Sequence, residues 1–183
     1  MKLEVHSART APEGSRSVLE ATEKKIGFVP NLLGVLAESP AALQAYSNLS
    51  SALQHNADLS ASEQQVVFLA ISFQNKCAYC MAAHSTIAGN GILTNSQIEA
   101  LRRGAPLDDE KLEALRRFTL QVVETRGWPP EAELERFLDA GYKKRHVLDL
   151  LAAIALKTLT NYTNHISETE VDEAFAPQAW QES

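Results

Sequence analysis

Ser60-Ala61-Ser62-Glu63-Gln64-Gln65-Val66-Val67-Phe68-Leu69-Ala70-Ile71, followed closely by Cys77-Ala78-Tyr79-Cys80-Met81-Ala82-Ala83-His84, decides how this chain folds. Ser60 with Glu63 is a capping-box signature, so an apolar helix starts there and runs to about Asn75. A second helix, from about Ala78 to Ala88, carries Cys80 and His84 at i and i+4 on one face, and Gly89 and Gly91 end it. Both cysteines of the chain lie in this stretch, so the two thiols form one unit: a reversible disulfide or part of a metal site.

Helical punctuation continues on either side, and no run shows sustained strand alternation, so the fold is expected to be all-α with about eight to ten helices. Upstream, Ser17 with Glu20 reads as a capping box opening a first helix that stops at Gly27. Pro30, and Pro40 after Ser39, fit first-turn positions of two more, the second running to about His55. Downstream, Thr94 with Gln97 caps a short helix closed by Gly104. Asp108 starts a longer one, with Leu112, Leu115, Phe118, Val122 and Val123 on one stripe. Helices from about Pro130 to Ala140 and from about Lys143 to His165 complete the set. The centre of the last, Leu148 to Leu156, is apolar nearly all round, which suggests burial on several sides or at a subunit interface. No linker or repeat divides the chain, so one domain over 1–183 is expected, with 1–14 and 177–183 as loose arms.

At 183 residues and 45% hydrophobic, the chain can bury a substantial core without stapling disulfides. Its formal charge of −6 and the lack of a basic block longer than Lys143-Lys144-Arg145 argue against nucleic acid or an anionic membrane as partner. The opening Met1 to His6 lacks a signal-peptide layout, and no apolar run approaches the ~20 residues that span a bilayer, so a cytoplasmic location is expected. In a reducing compartment a lone Cys-x-x-Cys pair is more plausibly redox-active or metal-binding than structural.

A helix N-terminus lowers a thiol's pKa, because unpaired backbone N–H groups and the helix dipole favour the thiolate. Cys77 and Cys80 sit where the helix should begin, close enough to cycle between dithiol and disulfide. His84 can hydrogen-bond the thiolate or relay its proton; the plainer alternative is a packed histidine. For zinc, the two thiolates and His84 supply three ligands, but His55, His146 and His165 lie at no recognisable zinc spacing.

The run Asn75-Lys76-Cys77-Ala78-Tyr79-Cys80-Met81-Ala82-Ala83-His84-Ser85, behind Leu59-Ser60 and the apolar helix, resembles the AhpD-like (alkyl hydroperoxidase D) branch of the carboxymuconolactone decarboxylase family. Asn161-Tyr162-Thr163-Asn164-His165 and Asp172-Glu173-Ala174-Phe175 resemble its peroxidase-related members. The resemblance implies a compact all-helical domain, assembly as a homo-oligomer (trimer or hexamer), and no bound metal or cofactor. It implies thiol-dependent hydroperoxide or disulfide reduction in which Cys80 attacks and Cys77 resolves. An external dithiol, lipoyl-type or carried by a small redox protein, would regenerate the pair. No nucleotide-binding fingerprint is present for direct nicotinamide reduction.

Family members commonly carry a Glu twelve residues before the first cysteine, in a proton relay with the His; here that position is Gln65. A carboxamide cannot take a proton, which predicts weak peroxidase turnover. Glu63 is the obvious substitute, but two residues along a helix is about 200° of rotation, and its capping role explains it otherwise. Tyr79 stands where AhpD itself has a His, as a weak proton donor or, preferably, a wall. Asn161 and His165, at i and i+4, are expected to border the cavity or an interface, or to serve structural hydrogen bonds. Trp128 suggests an anchored turn, and Trp180 could pack on a neighbouring subunit. Two further functions stay open: lactone decarboxylation, which does not need the thiol pair, and a non-catalytic helical oligomer that senses oxidation or binds zinc.

Overall fold

The structure, a computed structural model, describes residues 2–181. Among these, nine α-helices and one short 3-10 helix account for the regular structure, with no strand: α1 Glu13–Ile26, α2 Asn31–Leu36, α3 Pro40–Asn56, α4 Ala61–Gln74, α5 Ala78–Ala88, α6 Asn95–Arg102, α7 Glu110–Glu124, α8 Glu131–Asp139, α9 Lys144–Ser167, then the 3-10 turn Ala176–Gln178. The strongest local signals act as read. Ser60 and Thr94 form reciprocal capping boxes with Glu63 and Gln97, and Ser39 accepts from Ala42 N with Pro40 at the first helical position.

Two boundaries differ from the sequence reading. α1 starts a turn earlier, after Pro12, whose fixed φ already suits a helix entry, so Ser17 lies inside the helix and caps nothing. The cap of α7 is Asp109, which accepts from Leu112 N, and not Asp108.

The core has two parts. The larger is built around α4, α7, α8 and α9 and includes the stacked rings of Phe118, Phe137 and Tyr142, with centroids 4.5 and 4.4 Å apart. Each such buried side chain contributes about 1.5–3 kcal/mol. The smaller joins α1, α2 and α3 to the first turns of α5, and Cys77, Tyr79, Cys80 and Ala83 belong to it. The thiols therefore sit at the seam between the two.

The loose arms are not seen in the described residues; Met1, Glu182 and Ser183 lie outside them. His6 is buried, its N–H donates to Gly34 O at 3.1 Å, and its ring meets the Glu38 carboxylate at 2.6 Å. Gly34 is needed for this approach, since a Cβ there would lie 2.7 Å from Val5 Cγ1 and 2.8 Å from His6 O. At the other end Trp180 packs inside its own chain, not on a neighbour. Its Nε1 donates to Arg102 O, its ring meets Phe73 edge-on, and Arg102 donates to the carbonyls of Gln178 and Ala179. Trp128, expected to anchor its turn, points to solvent at 85% exposure.

Candidate active site

The link between α4 and α5 places the first thiol. Cys77 N donates to Ser72 O and Lys76 N to Phe73 O, both at 2.9 Å, the two bonds of a Schellman turn. Lys76, with φ of 54°, occupies the left-handed position usually held by glycine, a backbone strain of about 1–2 kcal/mol. The turn makes Cys77 the N-cap of α5 and sets Cys80 in its first turn, both buried.

Residues 157, 161 and 164 of α9 share one face by their i, i+4, i+7 spacing and meet the sulfurs. Asn164 Nδ2 donates to Cys80 Sγ at 3.3 Å and lies 3.8 Å from Cys77 Sγ. Asn161 Oδ1 accepts from Asn75 Nδ2 at 2.9 Å, which ties α9 to the turn before the thiols. Asn164 Oδ1 finds no hydrogen-bond partner although buried, and Asn161 Nδ2 has no partner but the Cys80 sulfur. An unpaired group costs about 1–3 kcal/mol and is retained chiefly where a site uses it.

Lys157 is buried, with 2% of its surface exposed, and its Nζ lies 5.7 Å from the centre of the Phe68 ring. The thiols divide the proton between them. The Cys77 S–H bond to Cys80 holds the Cys80 thiol well below its ordinary range against the opposing effect of burial, and the Lys157 cation and the Asn161 amide add to this. Cys77 moves the other way, raised first by donating that bond and then by burial. The arrangement favours the thiolate at Cys80 and the thiol at Cys77.

His84, one turn after Cys80, places Nδ1 3.1 Å from Gln65 Oε1, and its ring lies 5.0 Å from that of Phe68. A carbonyl oxygen only accepts, so Nδ1 carries the hydrogen and Nε2 is left with its lone pair. Burial, then the Lys157 charge, pushes the imidazole well below its usual range, and it is neutral. Gln65 thus orients His84 without exchanging protons with it.

The other sequence candidates separate. Glu63 closes its capping box and pairs with Lys111 of α7 at 2.8 Å, away from the thiols, so it does not substitute for a relay carboxylate. Tyr79 donates to Asp172 Oδ2 at 2.6 Å and accepts from Leu32 N. Burial, then Asp172, raises its phenol above the usual tyrosine range, which suits a wall and not an acid. Asn161 joins the site, whereas His165 turns to solvent and stacks on the exposed Tyr162. Among the described residues no three His, Cys, Asp or Glu side chains converge to hold a metal ion.

Sequence reasoning missed Lys157 and the direct role of Asn164. The available signal was a lone cation in the apolar run Leu148 to Leu159. It also missed Tyr46, which lines the same cavity and whose phenol is raised by burial and then by the Cys80 charge, keeping it a hydrogen-bond donor.

Cys80, His84, Gln65 and Lys157 face one cavity of about 770 Å³, walled by Leu32, Leu33 and Phe68 and bordered by α1 and α3. The site is a buried Cys-x-x-Cys pair at the start of a helix, facing a cavity of an all-helical fold. Residues 40–121 match the carboxymuconolactone decarboxylase family, and the fold is that of AhpD-like proteins.

A peroxidase-related protein from Ralstonia eutropha JMP134, described as an alkylhydroperoxidase AhpD core, is similar at TM-score 0.81. It shares 24% identity over 95% of this chain and 93% of its own. A peroxidase-related protein from Silicibacter sp. TM1040 gives TM-score 0.78 and 23% identity over 91% and 88%. A cysteine-to-alanine variant of the debrominase Bmp8 in complex with 2,3,4-tribromopyrrole gives 0.80 and 16% over 97% and 95%. At these identities the structural likeness defines the fold alone. No curated protein matches the chain in sequence. Among the described residues no helix is long and apolar enough to cross a membrane.

Proposed function

We propose that the protein is a thiol-dependent hydroperoxide reductase. One observation carries this reading: the buried Cys80 sulfur faces the cavity and accepts a hydrogen bond from the Asn164 amide, with the Cys77 thiol and the Lys157 cation favouring its thiolate form. The thiolate attacks the distal oxygen of ROOH, the O–O bond breaks, and Cys80 becomes a sulfenic acid while RO⁻ leaves. The Lys157 ammonium supplies the proton that makes ROH and recovers one from solvent. Cys77 then attacks the Cys80 sulfur, and its proton leaves with the hydroxyl as water. The sum is dithiol plus ROOH giving disulfide, ROH and water; an external dithiol, lipoyl-type or on a small redox protein, returns the two electrons.

His84 enters as a fixed, neutral acceptor at Nε2, where it can hold the hydroperoxide O–H. A relay through Gln65 is closed, so turnover is expected to be modest. Leu148, Leu151, Tyr162 and Ile166 expose large apolar side chains along α9, which supports the homo-oligomeric assembly that the resemblance implies. Light scattering tests that part.

The decisive test follows thiol loss and dithiol-dependent turnover across a panel of hydroperoxides. A bromopyrrole is tested beside the panel, as a compound without an O–O bond, because a protein of this fold binds one. Wild type should lose two thiols per chain, Cys77→Ser should stop at a sulfenic acid, and Cys80→Ser should be inert. A Cys80→Ser variant that reacts as fast as wild type refutes the reading.

A further inference from the structure

The charge of the cavity runs opposite to that of the chain. The protein carries 23 acidic against 17 basic residues, yet among the described residues no aspartate or glutamate lines the cavity, whereas Lys25 and Lys157 do. At position 65, on the same wall, an uncharged glutamine faces His84. The two lysines sit at different depths: Lys157 is buried beside Cys80, and Lys25 is an exposed side chain in the last turn of α1, at the rim. Apolar wall residues, including Leu32, Leu33 and Phe68, complete the lining. A cation at a helix C-terminus complements the helix dipole, but Lys24 serves that purpose equally and does not line the cavity.

We propose that this cavity selects organic hydroperoxides bearing a carboxylate remote from the peroxide group, an inference that rests on the peroxidatic reading above. The anionic head meets Lys25 at the rim, the apolar body lies along Leu32, Leu33 and Phe68, and the peroxide reaches Cys80. The head must stay at the rim, because a carboxylate beside the Cys80 thiolate would meet a like charge. Low-dielectric walls around cations of one sign concentrate anions in such a cleft. The redox step is the one given above, with the same dithiol as electron source.

Cumene hydroperoxide and its para-carboxylate form the test pair. The second-order rate of Cys80 oxidation should favour the carboxylate about fivefold, the factor for unit charges some 4 Å apart in water-like surroundings. That preference should shrink as ionic strength rises. The ratio should approach one in Lys25→Gln, invert in Lys25→Glu and persist in Lys24→Gln. Equal rates in wild type, or a ratio indifferent to Lys25→Glu, overturn the inference. Calorimetry on Cys80→Ser with the two corresponding alcohols separates the claims. If neither hydroperoxide consumes thiols, the peroxidatic reading fails. If the carboxylated alcohol binds no more tightly than the neutral one, anion selection fails whatever the chemistry.

Discussion

Replacing Lys157 by methionine removes one charge from the thiol site while keeping an unbranched apolar chain in a buried position beside Phe68. The lost interactions are the charge of Lys157 acting on Cys80 and its hydrogen bond to that sulfur. An opposite charge within 4–6 Å moves a pKa by about 1–3 units. The Cys77 and Asn164 hydrogen bonds remain, so the Cys80 midpoint should rise by about that amount.

The sign is fixed: the reactive form is the thiolate, present above the midpoint and lost as pH falls through it. Wild type should therefore keep its iodoacetamide alkylation rate down to a lower pH than an ordinary cysteine, with the rate falling only below that point. Lys157→Met should bring that fall up in pH, losing about tenfold in rate for each unit below the new midpoint. Lys157→Arg should restore most of the plateau. Cys80 can take up a proton instead of remaining an unpaired buried charge, so urea denaturation should show the fold retained. An unmoved alkylation profile in a folded Lys157→Met protein would refute the electrostatic role.

Gln65→Glu places a carboxylate where Oε1 now lies, 3.1 Å from His84 Nδ1, and should raise the depressed imidazole pKa and increase turnover. A proton NMR titration of His84 checks the first effect, and an unchanged titration would remove the relay explanation. Tyr79→Phe deletes a hydroxyl that bonds both Asp172 and Leu32 N and should cost about 1–3 kcal/mol in urea denaturation, with thiol reactivity preserved. Loss of reactivity without loss of stability would instead make Tyr79 an acid. Gly34→Ala forces a methyl group against His6 O and Val5, and should destabilise by about 1–3 kcal/mol while exposing residues 5–10 to limited proteolysis.

Features written locally were legible in the sequence. Ser60, Thr94 and the Cys77–His84 spacing each depend on residues within two turns, so the helix starts and the i, i+4 thiol–imidazole face could be placed without tertiary information. The start of α1 was not, because Ser17 and Glu20 mimic a cap and only the preceding Pro12 shows that the helix is already under way. The terminal segments misled for another reason: His6 bonds to Gly34 and Trp180 to Arg102, partners far along the chain that leave no periodic trace. The same limit hid Lys157 and Asn164, which reach the sulfurs from some eighty residues away. The rotation that excluded Glu63 was legible, and α4 turns that side chain to Lys111.

Nine of the fourteen residues of α4 are buried, with Gln65 and Phe68 on the cavity and Val66, Val67, Leu69 and Ile71 in the larger core. A helix without a solvent face has almost no neutral positions. Saturation mutagenesis along it should separate two kinds of damage, with unfolding at the core positions and altered selectivity in soluble protein at 65 and 68. Directed evolution of this scaffold would therefore find its specificity changes on α1 and α3, whose cavity residues also border solvent, long before it found them on α4.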